Sequence, residues 1–380
     1  MGARSSNTDR NGHRNNSQNR LLDGHAAYFY NSDLNAGTIG PNQGPSAFET
    51  TGGTVDTSSR SGWTLHKFMD PGPNAFTVNN AEKHAPGLCE VLIVGGGGAA
   101  GVHVGAGGGG GGSVLFWNSF PISDGNYPVT VGAAGEGTGP SAPPTNAGFG
   151  GKGGDSTVTD GGTTYTAYGG GGGAYGNSDS IPSTMDGGNG GGSSRGGTPG
   201  ANSDYGEGSQ PPQGSFTKSG GNDGGFGFNY GGSFLNGGGG GGANGAGNPS
   251  TSNSPAFGEP VPSRQHGGPG APNTITGNSW FWGGGGGGGG HYVNSTAGNG
   301  GQGGGGGGGS NNNAGEGGPA PTGINAGGDG SVSNGGAQGG AGGTNTGGGG
   351  GGSGGNNWSG QPGAPGGSGI VIFAYPTPSP

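Results

Sequence analysis

Glu90-Val91-Leu92-Ile93-Val94, which runs directly into Gly95, and Ile370-Val371-Ile372-Phe373-Ala374-Tyr375, which follows Gly369, decide the fold. Both runs have the length and the β-branched composition of a buried strand. Almost everything between them is rich in glycine. We expect the two runs to pair and to close a domain that spans residues 89–375, because a mere linker would not need such a closure.

The composition limits how this domain can be held together. Glycine supplies 116 of 380 residues, and hydrophobic residues make up 24% of the chain, about half of what an ordinary globular domain uses. Packed apolar side chains therefore cannot be the main source of order. Glycine-rich sequence is either a disordered linker or is ordered by backbone hydrogen bonds between neighbouring segments. Composition alone favours disorder, whereas the two bracketing runs favour an ordered scaffold.

Pure glycine tracts recur within the bracket, and they predict a specific kind of order. Long glycine runs can form left-handed threefold helices, which have no internal hydrogen bonds and direct their amides to neighbours. A bundle of such polyglycine II helices is the arrangement we expect. Collagen is excluded, because no Gly-X-Y register persists. The tracts are residues 107–112, 169–173, 237–242, 283–290, 303–309 and 347–352.

One stretch inside the bracket predicts a β-hairpin. Ser156-Thr157-Val158-Thr159 and Thr163 to Ala167 are rich in β-branched residues, and Asp160-Gly161-Gly162 lies between them. Glycine is favoured where a hairpin turn needs positive φ. This hairpin is the best local indication that the region is folded. The predicted fold is therefore mostly β with irregular segments, short strands and hairpins around the glycine bundle, and essentially no α-helix.

The residues before the bracket form two further predicted regions. Residues 1–24 read as a flexible basic arm, in which Arg4, Arg10, Arg14 and Arg20 are candidates for docking on an acidic partner. Residues 25–88 have a more ordinary composition and are predicted to be a β-rich attachment region. Its β-like runs are Ala26 to Tyr30, Trp63 to Phe68 and Ala75 to Val78. Residues 376–380 are a short tail.

Charge and hydropathy exclude several classes of partner. The formal charge is −9, which is unsuited to a phosphate backbone, so we expect no nucleic-acid binding. No segment has the roughly 20 apolar residues of a membrane span, and no apolar signal-peptide core is visible. Cys89 is the only cysteine, which excludes an internal disulfide and a cysteine-based metal site.

No pattern of catalytic residues stands out from the background. Gly96-x-Gly98-x-x-Gly101 matches a dinucleotide fingerprint, but glycines follow where the fingerprint needs a helix. The seven histidines are scattered, and the acidic residues show no calcium-loop spacing. We therefore predict no cofactor, no metal site and no enzymatic activity.

Four motifs in a fixed order resemble a known family. They are Val91 to Gly98, Tyr127-Pro128-Val129-Thr130-Val131-Gly132, Ser156 to Gly173, and Gly369 to Phe373. With Trp63 to Phe68 and Phe76-Thr77-Val78 in front of them, they resemble the glycine-rich domain of bacteriophage tail-fibre and receptor-binding proteins. The resemblance covers about residues 60–375, and the insert Ser178 to Phe234 is unusually long.

The resemblance implies a virion protein, a tail fibre or receptor-binding tip that attaches the particle to a host. It implies polyglycine II helices whose connecting loops meet a host-surface glycan or an outer-membrane receptor. It also implies a homotrimer that joins other virion proteins through its N-terminal region. The alternatives are a capsid- or neck-associated fibre or decoration protein, a self-assembling extracellular filament or matrix protein, and a disordered glycine-rich polymer.

Aromatic residues between the tracts are the candidate contacts, and they have two interpretations. They could seal the flanks of the bundle or cap a subunit interface. They could instead be exposed in loops and stack on a sugar or a receptor surface. The candidates are Trp117, Tyr175, Tyr230, Trp280, Phe281, Trp282, Tyr292 and Trp358.

Overall fold

A computed structural model describes residues 48–84, 89–138, 148–176, 182–194, 205–230, 234–250, 265–291, 295–319, 324–355 and 361–377. The chain divides into two compact units, Met1–Ala47 and Phe48–Pro380, and every described residue belongs to the second. The predicted arm with its four arginines and the run Ala26 to Tyr30 lie outside the described residues.

The regular elements are short strands. The described part contains no α-helix, and its two 3-10 helices, Ala81–Lys83 and Ser183–Met185, have three residues each. The prediction of a mostly β and irregular fold is thus confirmed. The strands are β1 (Glu49–Thr51), β2 (Thr54–Asp56), β3 (Trp63–Phe68), β4 (Gly72–Asn79), β5 (Cys89–Val94), β6 (Val114–Phe120), β7 (Gly125–Val131), β8 (Ser156–Asp160), β9 (Thr163–Ala167), β10 (Thr217–Ser219), β11 (Phe228–Tyr230), β12 (Phe234–Asn236), β13 (Ala271–Asn273), β14 (Trp280–Trp282) and β15 (Ile370–Pro376).

The two apolar runs are neighbours in a six-stranded sheet, whose order is β10-β6-β5-β15-β3-β2. Strand β15 pairs antiparallel with β5, from Ile370 opposite Val94 to Ala374 opposite Glu90. On its other side β15 pairs with β3. The glycine-rich region therefore leaves this sheet after Val94 and returns to it at Ile370.

The second sheet has five strands in the order β1-β4-β7-β8-β9, and it contains the predicted hairpin. Strands β8 and β9 pair from Ser156 opposite Ala167 to Asp160 opposite Thr163. Gly161 and Gly162 have φ of 53° and 90°, as a two-residue type I′ turn requires.

The hydrophobic core lies between the two sheets. Phe76 of β4 stacks on Phe373 of β15 with ring centroids 4.3 Å apart, and Phe120 packs edge-on to Phe373 at 6.2 Å. The opposite face of the six-stranded sheet is covered too, by a cluster that includes Ile275 and Trp282. Because this sheet is buried on both faces, its central strands are continuous apolar runs instead of alternating ones.

Residues 48–84 are part of the same sandwich. Strands β2 and β3 belong to the six-stranded sheet, and β1 and β4 belong to the five-stranded sheet. The sequence suggested an attachment region ending at residue 88 and a separate glycine-rich domain from residue 89. The structure joins them, because β3 of the first region and β5 of the second pair with opposite sides of β15.

The glycine tracts form a bundle with threefold hydrogen bonding, which residues 107–112 illustrate. Gly107 and Gly110 donate to Ala174 and Gly171, at 3.1 and 2.8 Å. Gly108 and Gly111 donate to Gly238 and Gly241, at 3.1 and 2.8 Å. Gly109 and Gly112 donate to Gly350 and Gly347, both at 2.8 Å. Each third amide thus points to the same neighbouring tract, which is the polyglycine II pattern.

The hand and the direction of the helices follow from the same contacts. None of residues 107–112 has positive φ, as a left-handed threefold helix requires. From Gly107 to Gly112, the residue numbers of the hydrogen-bond acceptors decrease in residues 169–174 and in residues 347–352, and they increase in residues 237–242. The first two neighbours are therefore antiparallel and the third is parallel. The chain runs back and forth through the bundle.

Peripheral segments differ from central tracts by having a side chain at every third position. Asn313, Glu316 and Pro319 are exposed, whereas Gly315 and Gly318 between them are buried. One helical turn contains three residues, so this spacing keeps one row of side chains on the solvent side. Pure glycine is required only where neighbours surround the helix.

Candidate functional site: the loop end of the bundle

The bundle has two distinct ends. At the sheet end, strands run directly into glycine segments, as at Val94–Gly95 and Trp282–Gly283. At the opposite end, here called the loop end, the segments turn back. Residues 102–106 form the first such turn, because Gly98 donates to Gly110 and Gly101 donates to Gly107.

Hydrogen bonds place several other turns at the loop end. Gly289 donates to Ala106, and Gly237 donates to Gly289. Ala106 donates to Ser353. The ends of three other segments therefore meet beside the first turn. The hairpin β11–β12 immediately precedes Gly237, so it also lies at this end.

The first turn is buried by its neighbours. Val102 and Val104 are about 1% exposed, and His103 has φ of 84°, in the left-handed region. The His103 carbonyl accepts a hydrogen bond from the Ser353 hydroxyl at 2.7 Å. The His103 ring faces Tyr175 with centroids 5.1 Å apart. These contacts hold the turn in place. The buried residues 102–106 and the half-buried Tyr175 ring form a base, here called the floor, beneath the more exposed connections.

Titratable groups cluster near this floor. Burial lowers the pKa of His291, and repulsion from His103 lowers it further. Burial raises the pKa of Tyr175. Both shifts favour the uncharged form, because desolvation disfavours charge.

Two large apolar side chains at the loop end are exposed to solvent. Phe226 is 42% exposed and Val332 is 57% exposed. The Phe226 carbonyl accepts from Ser250, and the carbonyl of Ser331, beside Val332, accepts from Ser310. Both residues were missed by the sequence analysis. Phe226 lies three residues after Asp223, and Val332 lies three residues after Asp329; both aspartates are on peripheral segments. This spacing is the sequence feature that could have indicated two exposed side chains.

The predicted aromatic contacts fall into three groups. Trp117 is half-buried at the sandwich, edge-on to Phe120 and Phe216, both at 5.2 Å. Trp280 and Phe281 are half-buried, and Trp282 is completely buried, in the hairpin β13–β14 that covers the six-stranded sheet. Of the eight candidates, Tyr175 is the one whose described side chain lies at the loop end, half-buried beside Phe149. Tyr292, Trp358 and the side chain of Tyr230 lie outside the described residues.

Burial distinguishes the two interpretations for part of this set. Trp117 packs against the core between the two sheets, and Trp282 is part of the cluster that covers the six-stranded sheet. Trp282 cannot contact a receptor in this fold, because its side chain has no exposed surface. Residues 280–282, which are adjacent in the sequence, therefore cover the six-stranded sheet at the sheet end of the bundle.

Acidic side chains accept hydrogen bonds from backbone amides at the periphery of the bundle. The carboxylate of Asp155 accepts from Gly169 at 2.8 Å, Asp223 from Gly208 at 2.9 Å, and Asp329 from Gly317 at 2.8 Å. Each carboxylate supplies the acceptor that a missing outer segment would have provided. The acidic surface is therefore partly a structural device.

The far end of the sandwich carries an open depression of about 550 Å³. It is lined by Ala81, Glu82, His84 and residues 121–124, and it follows Phe120, which pairs with Cys89 at the start of β5. Within the described residues, no group of three or more His, Cys, Asp or Glu side chains could hold a metal ion. No helix in that part of the chain could cross a membrane.

The sequence matches the family model of the glycine-rich domain over residues 74–344. The chain belongs to this glycine-rich domain family. No curated protein matches the chain. The matched residues of the glycine-rich domain begin within β4 and include five of the six pure glycine tracts, but they exclude the tract 347–352 and β15, which closes the fold.

The geometry of the glycine-rich domain defines what the site can do. The loop end combines exposed apolar side chains with a buried first turn. Such a surface can bind a partner through apolar and aromatic contacts and hydrogen bonds. The candidate function is therefore recognition by a rigidly supported set of connections.

Proposed function

We propose that this protein is a structural protein of a bacteriophage virion, a tail fibre or receptor-binding tip that mediates attachment to the host. The observation that carries the proposal is the division of the bundle into a closed sheet end and a loop end where successive connections meet. A backbone-bonded bundle supports those connections without depending on their side chains. The sequence motifs that resemble phage receptor-binding proteins agree with this role.

The proposed partner is a host-surface glycan or an outer-membrane receptor, bound at the loop end. Phe226 and Val332 offer apolar surface there, and Tyr175 supplies an aromatic ring. Exposed aromatic and apolar groups are common anchors of binding surfaces. In this proposal the protein is a homotrimer, it joins other virion proteins through its N-terminal region, and it has no enzymatic activity.

Competition for adsorption tests the proposal. Cells are incubated with the purified full chain, washed, and challenged with the phage that carries it. We expect adsorption to fall, and we expect Phe226→Ser with Val332→Ser to reduce that competition. Val55→Ser is the matched control, because Val55 is 56% exposed on β2 of the sandwich.

Three results would overturn the proposal. Unchanged adsorption in the presence of the wild-type chain would refute receptor binding. Immunogold labelling on the capsid or neck instead of the tail would favour the decoration-protein alternative. Unbounded fibres formed by the purified protein alone would favour the filament alternative.

A further inference from the structure

A polar cluster at the edge of the sandwich holds strand β1 in place, and two histidines are part of it. The Thr50 hydroxyl lies 2.9 Å from Nε2 of His66 and 2.5 Å from the hydroxyl of Tyr375. Nε2 of His66 also lies 3.2 Å from the Tyr375 hydroxyl. The cluster therefore connects β1, β3 and β15.

The hydrogen bonds determine which ring nitrogen of neutral His66 carries the proton. Nδ1 lies 2.7 Å from the carbonyl oxygen of Gly52, which can only accept, so Nδ1 carries the proton. In the neutral ring Nε2 must then accept, from the hydroxyl of Thr50 or of Tyr375. Protonation would turn Nε2 into a donor, so the hydroxyl that donates to it in the neutral state would have to turn and accept instead.

His84 holds the other end of the same strand. Its ring stacks on Phe48, the residue before β1, at 4.7 Å, and packs edge-on to Tyr375 at 5.6 Å. His84 is 7% exposed, and its Nε2 has no hydrogen-bond partner in the described part of the chain. A charge on this ring would be buried without compensation.

Within the described residues, no charged group forms an ion pair or a hydrogen bond with either imidazole, although the carboxylates of Glu82 and Asp124 line the same depression as His84. The Asp124 carboxylate accepts from the Ala81 amide at 2.6 Å. Tyr375 of β15 faces both rings, Phe76 of β4 faces His66 at 5.0 Å, and Cys89 of β5 lies near Tyr375. Lys67, the next residue after His66 in β3, pairs with Asp56 of β2 at 2.5 Å. Glu82 and Lys83 precede His84 and approach each other at 3.9 Å. No described carboxylate is hydrogen-bonded to either imidazole.

We propose that Phe48 and β1 form an acid-released strap, which His66 and His84 hold against the sandwich while both are neutral. Strand β1 is an edge strand of three residues with one neighbour, β4. Its other described contacts are this pairing and the packing of the Phe48 ring against Tyr375 at 5.1 Å, so protonation of the two rings removes much of what holds the strap and exposes the edge of β4. This inference does not depend on the proposed function.

The direction of the pH effect follows from burial, which lowers the pKa of both histidines. Above about pH 6.5 the imidazoles are neutral whether the strap is closed or open. Below that pH, open-state imidazoles bind protons that the closed state excludes, so acid favours opening. Each histidine contributes up to about a tenfold increase in the opening constant per pH unit, until its lowered pKa is reached.

Hydrogen–deuterium exchange of the full chain tests the strap. Exchange of a peptide covering residues 48–56 is compared at pH 7.5 and pH 5.0, after correction for the intrinsic rate, with a peptide covering Ile370–Pro376 as the reference. We expect exchange of the first peptide to rise at least about tenfold at pH 5.0. The reference should keep its protection. No rise, or an equal rise in both peptides, would overturn the inference.

Variants assign the effect to the two rings. The double variant His66→Gln with His84→Phe removes both titrating groups. The Gln side chain can still donate to the Gly52 carbonyl, and the Phe ring can still stack on Phe48, so acid should no longer raise exchange. His266→Gln is the control, because it removes a half-buried histidine in the bundle and should leave the acid response intact. If the double variant does not fold, His84→Phe alone decides. Its exchange must depend less steeply on proton concentration than wild type, and an equal steepness refutes the strap.

Discussion

The amide of Gly109 donates a 2.8 Å hydrogen bond to the carbonyl oxygen of Gly350. The carbonyl of Gly109 in turn accepts from Gly286 at 2.9 Å. Such bonds join segments that are far apart in sequence, and they take the place of side-chain packing in most of the chain. Cohesion in the bundle therefore depends on backbone-to-backbone distance.

Gly109→Ala should destabilise the protein through steric overlap. A Cβ on Gly109 would lie 2.1 Å from the carbonyl oxygen of Gly98, and backbone cannot move aside as a side chain can. We expect a loss of about 1–3 kcal/mol in the free energy of unfolding. Gly335→Ala is the control, because the nearest atom to its Cβ would be the Ser333 hydroxyl at 4.0 Å. Denaturant titration compares the two, and equal losses would contradict close packing as the reason for glycine.

Ser156→Ala should weaken the junction between the sheets and the bundle. The buried Ser156 hydroxyl donates to Val94 at 2.6 Å and accepts from Gly132 at 2.9 Å. Its removal leaves the Gly132 amide without this acceptor and the Val94 carbonyl without this donor, and a buried amide left unpaired costs about 1–3 kcal/mol. Thr164→Ala, which removes an exposed hydroxyl bonded to Thr159, should cost far less. Thermal unfolding of both variants measures the difference, and similar melting temperatures would refute the role of Ser156.

Gly162→Val should destabilise the β8–β9 hairpin through backbone strain alone. A Cβ on Gly162 would meet nothing within 4 Å, but φ is 90°. A β-branched residue in this region costs about 1–2 kcal/mol, and asparagine tolerates it better. Gly162→Asn is therefore the matched control. If both substitutions lower the free energy of unfolding equally, strain at this φ is not the cause.

Cys89 should react with thiol reagents only after the sandwich opens. Its side chain is fully buried, and burial raises the pKa of the thiol well above its usual range, so little thiolate forms. We expect no labelling by a water-soluble disulfide reagent at pH 8, and labelling of one thiol per chain in denaturant. Rapid labelling of native protein would show that β5 opens locally, which the double pairing of β15 argues against.

The elements that could be predicted from the sequence are those with a local signal. The runs at Val91 to Val94 and Ile370 to Phe373 have strand composition, and the Gly161-Gly162 pair specifies its turn through φ. The pure glycine tracts indicated threefold helices because no side chain interrupts them. Each of these signals is contained within a few neighbouring residues.

Other features depend on contacts that no local pattern contains. The pairing of β15 with β3 could not be inferred, because nothing near Trp63 to Phe68 specifies a partner at the other end of the chain. Residues 280–282 resemble an exposed aromatic cluster, yet the sheet they cover is formed by distant strands. At the loop end, Tyr175 was recognised by its aromatic character, whereas Phe226 and Val332 were not among the predicted contacts, because no local pattern distinguishes an exposed side chain there from a buried one.

The threefold repeat of the central tracts also leaves their register undetermined. A glycine helix that slides by one turn, three residues, offers its neighbours the same donors and acceptors about 9 Å further along. Alignment must therefore be imposed from the ends, where residues such as Val94 and Ser113 anchor each tract to the sandwich or to a turn. Insertions in multiples of three within a tract should preserve which neighbour each amide faces, whereas one or two extra residues would rotate every later amide away from its partner. The bundle can thus lengthen in evolution by one helical turn at a time, while the sandwich sets the register of the glycine helices.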